Sequence, residues 1–93
     1  KAALECCVRY LAYELGPKGI RVHAISPGPI RTRAASGLNE FDALLSHAET
    51  RAPANQLVNI KDVGIATAAL ATPGGHLITG NTIYIDGGYH IMG

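Results

Sequence analysis

Two short β-rich runs constrain this chain most: residues 20–26, Ile-Arg-Val-His-Ala-Ile-Ser, and residues 82–86, Thr-Ile-Tyr-Ile-Asp. Each is stopped abruptly, the first by Pro27-Gly28-Pro29 and the second by Gly87-Gly88. A helical pattern precedes the first run, and two more lie between the runs. Such alternation predicts an α/β fold with a parallel, doubly wound sheet. Two strands cannot build that sheet alone, so its other strands are expected from sequence beyond these 93 residues or from another chain. The sequence also starts at Lys1, in what reads as the interior of a helix, so the expectation is one portion of a single larger domain across 1–93.

The helix over residues 1–15 carries two apolar stripes. Leu4, Val8, Leu11 and Leu15 recur at helical spacing, and Ala3, Cys7 and Tyr10 form a second row beside them. The first stripe is expected to pack on a sheet of its own subunit. The second is expected to meet another subunit, because each buried Leu or Val contributes roughly 1.5–3 kcal/mol that a wet face forgoes. Gly16, followed by Pro17, is expected to end the helix in the left-handed conformation.

A second helix is expected to open at Asn39, with Asp42 three residues on, and to end before Pro53. Phe41, Leu44, Leu45 and Ala48 form its apolar face. Asn59 is expected to cap a third helix, from about residue 60 to residue 71, that buries Val63, Ala66 and Leu70.

Bulk properties narrow the partners. A net charge of +1 gives no reason to expect nucleic acid, and no apolar run is long enough to cross a bilayer. The only cysteines, Cys6 and Cys7, are neighbours that point about 100° apart in a helix, so they do not pair with each other. That fits a reducing, cytoplasmic setting. His23, His47, His76 and His90 lack the spacing of a metal site, so no metal is expected.

Ligands of open α/β sheets bind beyond the carboxyl ends of strands. Residues 26–32 sit at such an end. Proline and glycine make the backbone stiff and bare, Thr32 adds a hydroxyl, and Arg31 and Arg33 add positive charge. This suits an anionic cofactor, although a plain strand-to-helix loop reads the same way. Lys1 by itself reads as a solvated lysine, and Asp86-Gly87-Gly88 as a strand terminator.

Five motifs occur in order: Lys1-Ala-Ala-Leu-Glu, Arg9-Tyr-Leu-Ala, Gly19-Ile-Arg-Val, Ser26-Pro-Gly-Pro-Ile-Arg-Thr and Tyr84-Ile-Asp-Gly-Gly. Together they resemble the C-terminal portion of short-chain dehydrogenases/reductases. The stretch Gly28-Pro-Ile-Arg-Thr-Arg-Ala-Ala-Ser-Gly, followed by Phe41 and Leu44-Leu45, resembles the enoyl-acyl-carrier-protein reductase branch. The resemblance covers the whole chain. It implies a Rossmann-type fold and NADH-dependent reduction of trans-2-enoyl thioesters carried on acyl-carrier protein, in fatty acid biosynthesis.

It also implies roles. Lys1 stands where the family carries the lysine of its Tyr/Lys catalytic pair, to bind the nicotinamide ribose and favour an enolate-like transition state. Ile30, Arg31, Thr32, Arg33 and Ala34 would line NAD, Ile30 through its backbone and Thr32 at the pyrophosphate. Ala34, Ala35 and Phe41 would belong to the loop and helix that cover the acyl substrate. The partner tyrosine and the glycine-rich dinucleotide loop would lie upstream of Lys1, so these 93 residues alone are not expected to catalyse. The parent is expected to be a homo-oligomer, a tetramer, with the first helix and last strand at interfaces. Two other readings share these features: another short-chain reductase, such as a 3-oxoacyl-carrier-protein reductase, and a non-catalytic assembly fragment.

Overall fold

The computed structural model describes residues 1–30 and 39–92, the Asn39 side chain excepted. Three α-helices and two strands follow in the order α1 (Ala2–Leu15), β1 (Ala24–Pro27), α2 (Asn39–Arg51), α3 (Ile60–Leu70) and β2 (Thr82–Ile85). Short 3₁₀ turns occur at Gly16–Lys18, Pro73–Gly75 and Tyr89–Ile91. The two strands pair directly. The Ala24 N–H donates to Asn81 O, and four residues further along both strands the Gly28 N–H donates to Ile85 O. Both strands therefore advance together: the sheet is parallel, as the α/β alternation predicts.

The chain divides into two compact units. One comprises Lys1–Ser26 and Ile65–Ile83, the other Pro27–Gly64 and Tyr84–Gly93.

In the first unit, α1 buries Val8 and Ala12. Of the expected inner stripe, Val8 is buried and Leu15 half-buried, while Leu4 and Leu11 are exposed in a chain that carries only two strands of the sheet. Ala12, outside that stripe, packs at Gly80, whose Cα comes so near that a side chain there would meet Ala12 Cβ at 3.4 Å. A small residue is buried where backbone passes, and counting large apolar side chains misses it. Ala3, Cys7 and Tyr10 are exposed on this chain. The end of α1 also differs from expectation. Gly16 stays right-handed and opens the 3₁₀ turn, and Gly19 takes the left-handed conformation with φ of 80°.

The first strand is shorter than residues 20–26. The Val22 N–H donates to the Thr79 side-chain oxygen at 2.9 Å instead of to a strand carbonyl, while Val22 O accepts from the Gly80 N–H. Regular pairing therefore begins only at Ala24.

In the second unit, α2 starts with Glu40 and Asp42 in its first turn and ends with Arg51 in its last, a charge order that suits the helix dipole. Leu45, Ala48 and Ala52 are buried, Phe41 is half-buried, and Leu44 is exposed. The helix stops before Pro53, as expected. Asn59 caps α3 reciprocally with Asp62: the Asp62 N–H donates to Asn59 Oδ1 at 2.8 Å, and the Asn59 N–H donates to Asp62 Oδ2 at 3.0 Å. Along α3, Val63, Ala66 and Leu70 are the half-buried positions; none is fully buried.

Candidate functional site

In a parallel sheet, the carboxyl ends of all strands lie along one edge. Here that edge brings residues 28–30, leaving β1, beside residues 85–88, leaving β2. The link is the bond from the Gly28 N–H to Ile85 O, at 3.1 Å. A Cβ on Gly28 would lie 3.0 Å from Asp86 Cβ and 3.4 Å from Val58 Cγ1. Its bareness lets the loop press against the protein itself. Pro29 and Ile30 follow, half-buried, and no described residue accepts from the Ile30 N–H. A stiff loop at the strand end fits a nicotinamide dinucleotide, whose carboxamide and phosphates accept hydrogen bonds from backbone N–H groups.

Lys1 is exposed at the start of α1, in the first unit, and its side chain does not cap the helix. Ile30 and Phe41 belong to the second unit. Arg31, Thr32, Arg33, Ala34 and Ala35 lie outside the described residues.

Asp86 was legible in the sequence only as a turn former, and it is the buried polar residue of the site, 8% exposed. Its carboxylate accepts from the Gly88 N–H at 3.0 Å and from the His90 N–H at 2.9 Å, and it faces His90 Nδ1 at 3.0 Å. Burial by itself raises the carboxyl pKa. The His90 side chain, the two backbone donors and the charge attraction of His90 outweigh it, holding Asp86 below the usual carboxylate range. The His90 ring stacks on Tyr84, with centroids 3.7 Å apart and planes 7° from parallel. A signal was present in the sequence, since aspartate four residues before histidine at a strand end allows such a pair. The residues between them gave no means to choose it over a solvated turn.

Hollows are present among the described residues. One of about 160 Å³ is lined by Ala54, Leu57, Val58, Ile85 and the capping Asp62 and contains none of the expected site residues. A groove in the first unit, of about 310 Å³, runs past Arg21, His23, Ile25 and Leu70. Another, of about 360 Å³, lies on α1 among Cys6, Arg9, Tyr10 and Tyr13. Among the described residues, no three His, Cys, Asp or Glu side chains could together hold a metal ion, and no helix is long and apolar enough to cross a membrane.

Known proteins place this arrangement. The family described as enoyl-(acyl carrier protein) reductase matches residues 1–90. The NADH enoyl-acyl-carrier-protein reductase FabI of Escherichia coli is 47% identical over 91 residues, 98% of this chain and 35% of the relative. The FabI enzyme of Synechocystis sp. is 50% identical over 93 residues, 100% of this chain and 36% of its own length. This chain thus spans about a third of the length of the curated relatives it matches.

Among solved structures, the Bacillus cereus enoyl-acyl carrier protein reductase, with NADP+ and an indole naphthyridinone, superposes with a TM-score of 0.91 at 45% identity, covering 100% of this chain and 36% of that one. The Anaplasma phagocytophilum enzyme in complex with NAD gives 0.90 at 44% identity, with the same coverage. The shared fold is the Rossmann-type sheet of these reductases, and with matches along nearly its whole length the chain belongs to the enoyl-(acyl carrier protein) reductase family.

Proposed function

We propose that this chain is the C-terminal third of an NADH-dependent enoyl-acyl-carrier-protein reductase, one Rossmann-type domain whose remaining strands and glycine-rich loop precede Lys1. The observation that carries this reading is the backbone at residues 28–30. It is fixed at the carboxyl end of β1 by the Gly28–Ile85 bond and lies in a chain up to 50% identical to such enzymes. The reduced nicotinamide supplies the hydride, delivered to the β-carbon of a trans-2-enoyl thioester on acyl-carrier protein.

The chain's own residues bind and orient. The Ile30 backbone holds the carboxamide, Thr32 contacts the pyrophosphate, and Arg31, Arg33 and Ala34 complete the cofactor wall. Ala34, Ala35 and Phe41 cover the acyl chain. Lys1 grips the ribose hydroxyls, and its charge favours the enolate-like transition state beside a tyrosine from the upstream sequence. The protein works in the cytoplasm as a homotetramer, with α1 at an interface. The exposed Leu4, Tyr10, Leu11 and Tyr13 support that assembly.

The test is NADH oxidation by the full-length protein with an enoyl thioester. Lys1→Ala is expected to lower turnover and weaken NADH binding. Wild-type kinetics in that variant would remove Lys1 from the mechanism. Reduction of a 3-oxoacyl thioester instead of an enoyl thioester would move the protein to the neighbouring branch.

A further inference from the structure

The segment after β2 is built as a clasp. Gly87 and Gly88 take φ of 65° and 91°, values open to glycine at little cost, and the chain doubles back on Asp86. The carboxylate then gathers two backbone N–H groups and the His90 ring. A turn of this kind can be closed by Asn or Ser with less desolvation. A buried carboxylate with three donors gives a stiffer closure, because hydrogen bonds to a charged group are about twice as strong as neutral ones. The stack of His90 on Tyr84, the last part of β2, ties the far end of the turn back to the strand.

The other side of Asp86 faces the loop after β1. Its Cα and Cβ form the surface on which Gly28 rests, 3.4 Å and 3.0 Å from where a Gly28 Cβ would stand. The adjoining Ile85 carbonyl holds the Gly28 N–H. Two residues beyond Gly28 is Ile30, and Pro29 between them allows little slack in φ. The height and tilt of the Ile30 backbone thus follow from where Asp86 is held. The clasp reaches the covering helix as well. Tyr89 meets His47 of α2 edge-on at 6.2 Å, and Gly87 O accepts from the Ala54 N–H just past the end of α2.

We propose that Asp86, locked by His90, is a positioning residue for the nicotinamide dinucleotide: the Asp86–His90 clasp sets the backbone at residues 28–30 against which the cofactor is held. The proposal rests on the reductase reading above. It makes the Asp-Gly-Gly turn part of cofactor binding without contact between Asp86 and the cofactor.

Two variants of the full-length protein test it, Asp86→Asn and His90→Phe. The second keeps an aromatic ring on Tyr84 and removes both imidazole nitrogens, Nδ1 toward Asp86 among them. Amide hydrogen exchange at Gly28 and the NADH dissociation constant, read by nicotinamide fluorescence, are the measurements. In Asp86→Asn, the Gly28 N–H is expected to exchange about tenfold faster and NADH to bind about tenfold more weakly. The Ala24 N–H, bonded to Asn81 O in the same sheet, keeps its wild-type protection. His90→Phe shifts Gly28 exchange and NADH affinity in the same direction by about threefold, and in both variants KM for NADH rises more than kcat falls.

Unchanged Gly28 exchange in both variants overturns the proposal, and so does faster exchange with unchanged NADH affinity. A uniform loss of protection that includes Ala24 overturns it too, by making the clasp a general stabiliser. If Asp86→Asn does not fold, His90→Phe decides alone. A wild-type protein that binds no NADH fails the reductase reading; the clasp's hold on the loop then stands or falls on Gly28 exchange.

Discussion

Helix α1 is more apolar in sequence than helix α2, yet the better-formed core lies around α2. Helix α1 has large side chains at Leu4, Tyr10, Leu11 and Tyr13, all exposed, and buries only Val8 and Ala12. Helix α2 is more polar, yet it buries Leu45 and Ala48, with Ala52 buried just beyond it, and its end is pinned to the turn after β2 by the Ala54–Gly87 bond. Side-chain hydrophobicity creates a demand for burial, and only neighbouring chain can meet it. Residues 39–54 and 84–92 provide neighbours for each other. The broad apolar surface of α1 calls for more protein than lies in its own unit.

Truncating one leucine on each helix is expected to separate the two regions most strongly. Leu45 is 2% exposed, so Leu45→Ala is expected to cost about 2–4 kcal/mol of stability through lost burial and a cavity. Leu11→Ala, at a site 45% exposed, should cost well under half as much in the unassembled chain. Denaturant unfolding of both variants checks the pair. Equal costs would mean that α1 is covered in solution, and the contrast between the two regions would then concern assembly rather than fold.

Acid separates the regions next. Asp86 has its carboxyl held below the ordinary value of 3.8. A depressed carboxyl contributes stability that is fully present above its unfolded pKa and is lost as pH falls through the lower folded value. The wild type is therefore expected to lose stability below about pH 4 more steeply than Asp86→Asn, with the two profiles converging at the acid end. Parallel profiles from neutral pH to acid would show that the carboxylate charge does not hold the clasp.

The same contrast explains what could be read from the sequence. The order of elements, the parallel sheet and the end of α2 before Pro53 follow from periodicity and from glycine and proline, which act locally. The family emerged from motif order along the whole chain. The burial of Ala12 on α1 was not legible, because it comes from the backbone passing at Gly80, some seventy residues away, and periodicity weighs side chains rather than approach distances. Gly16 was assigned the left-handed position that Gly19 takes, because two glycines flank one proline and only the geometry of the 3₁₀ turn selects between them. Asp86 escaped as a site residue for a related reason. Its importance comes from Gly28, its neighbour across the sheet, which no local pattern joins to it.

A smaller effect is expected at the start of α3, where local sequence should decide almost everything. Asn59 and Asp62 satisfy one another's backbone donors at the surface. Asn59→Ala is expected to cost about 1 kcal/mol, and Asn59→Gly only a few tenths. Thermal unfolding of the two variants measures the difference. Equal losses would mean that the loss comes from the Asn59 side chain alone, with the backbone freedom of glycine offsetting none of it.

The smallest effect on the fold, and the largest on assembly, is expected at Cys7. Its side chain is exposed on α1 in the row with Ala3 and Tyr10, away from Val8 and Ala12. A two-fold interface uses the same patch on both partners, so one substitution there places two like charges close together. Cys7→Asp is therefore expected to change the unfolding free energy of the isolated subunit by no more than about 0.5 kcal/mol, as for other exposed positions. In the assembled protein the same carboxylate would lose water and face its own copy, a cost of several kcal/mol that a helix–helix contact cannot absorb. Sedimentation of the full-length variant should show smaller species than the wild type at equal concentration. An unchanged assembly, with Cys7→Asp folded, would move the interface off this face of α1 and leave its exposed leucines and tyrosines to another partner.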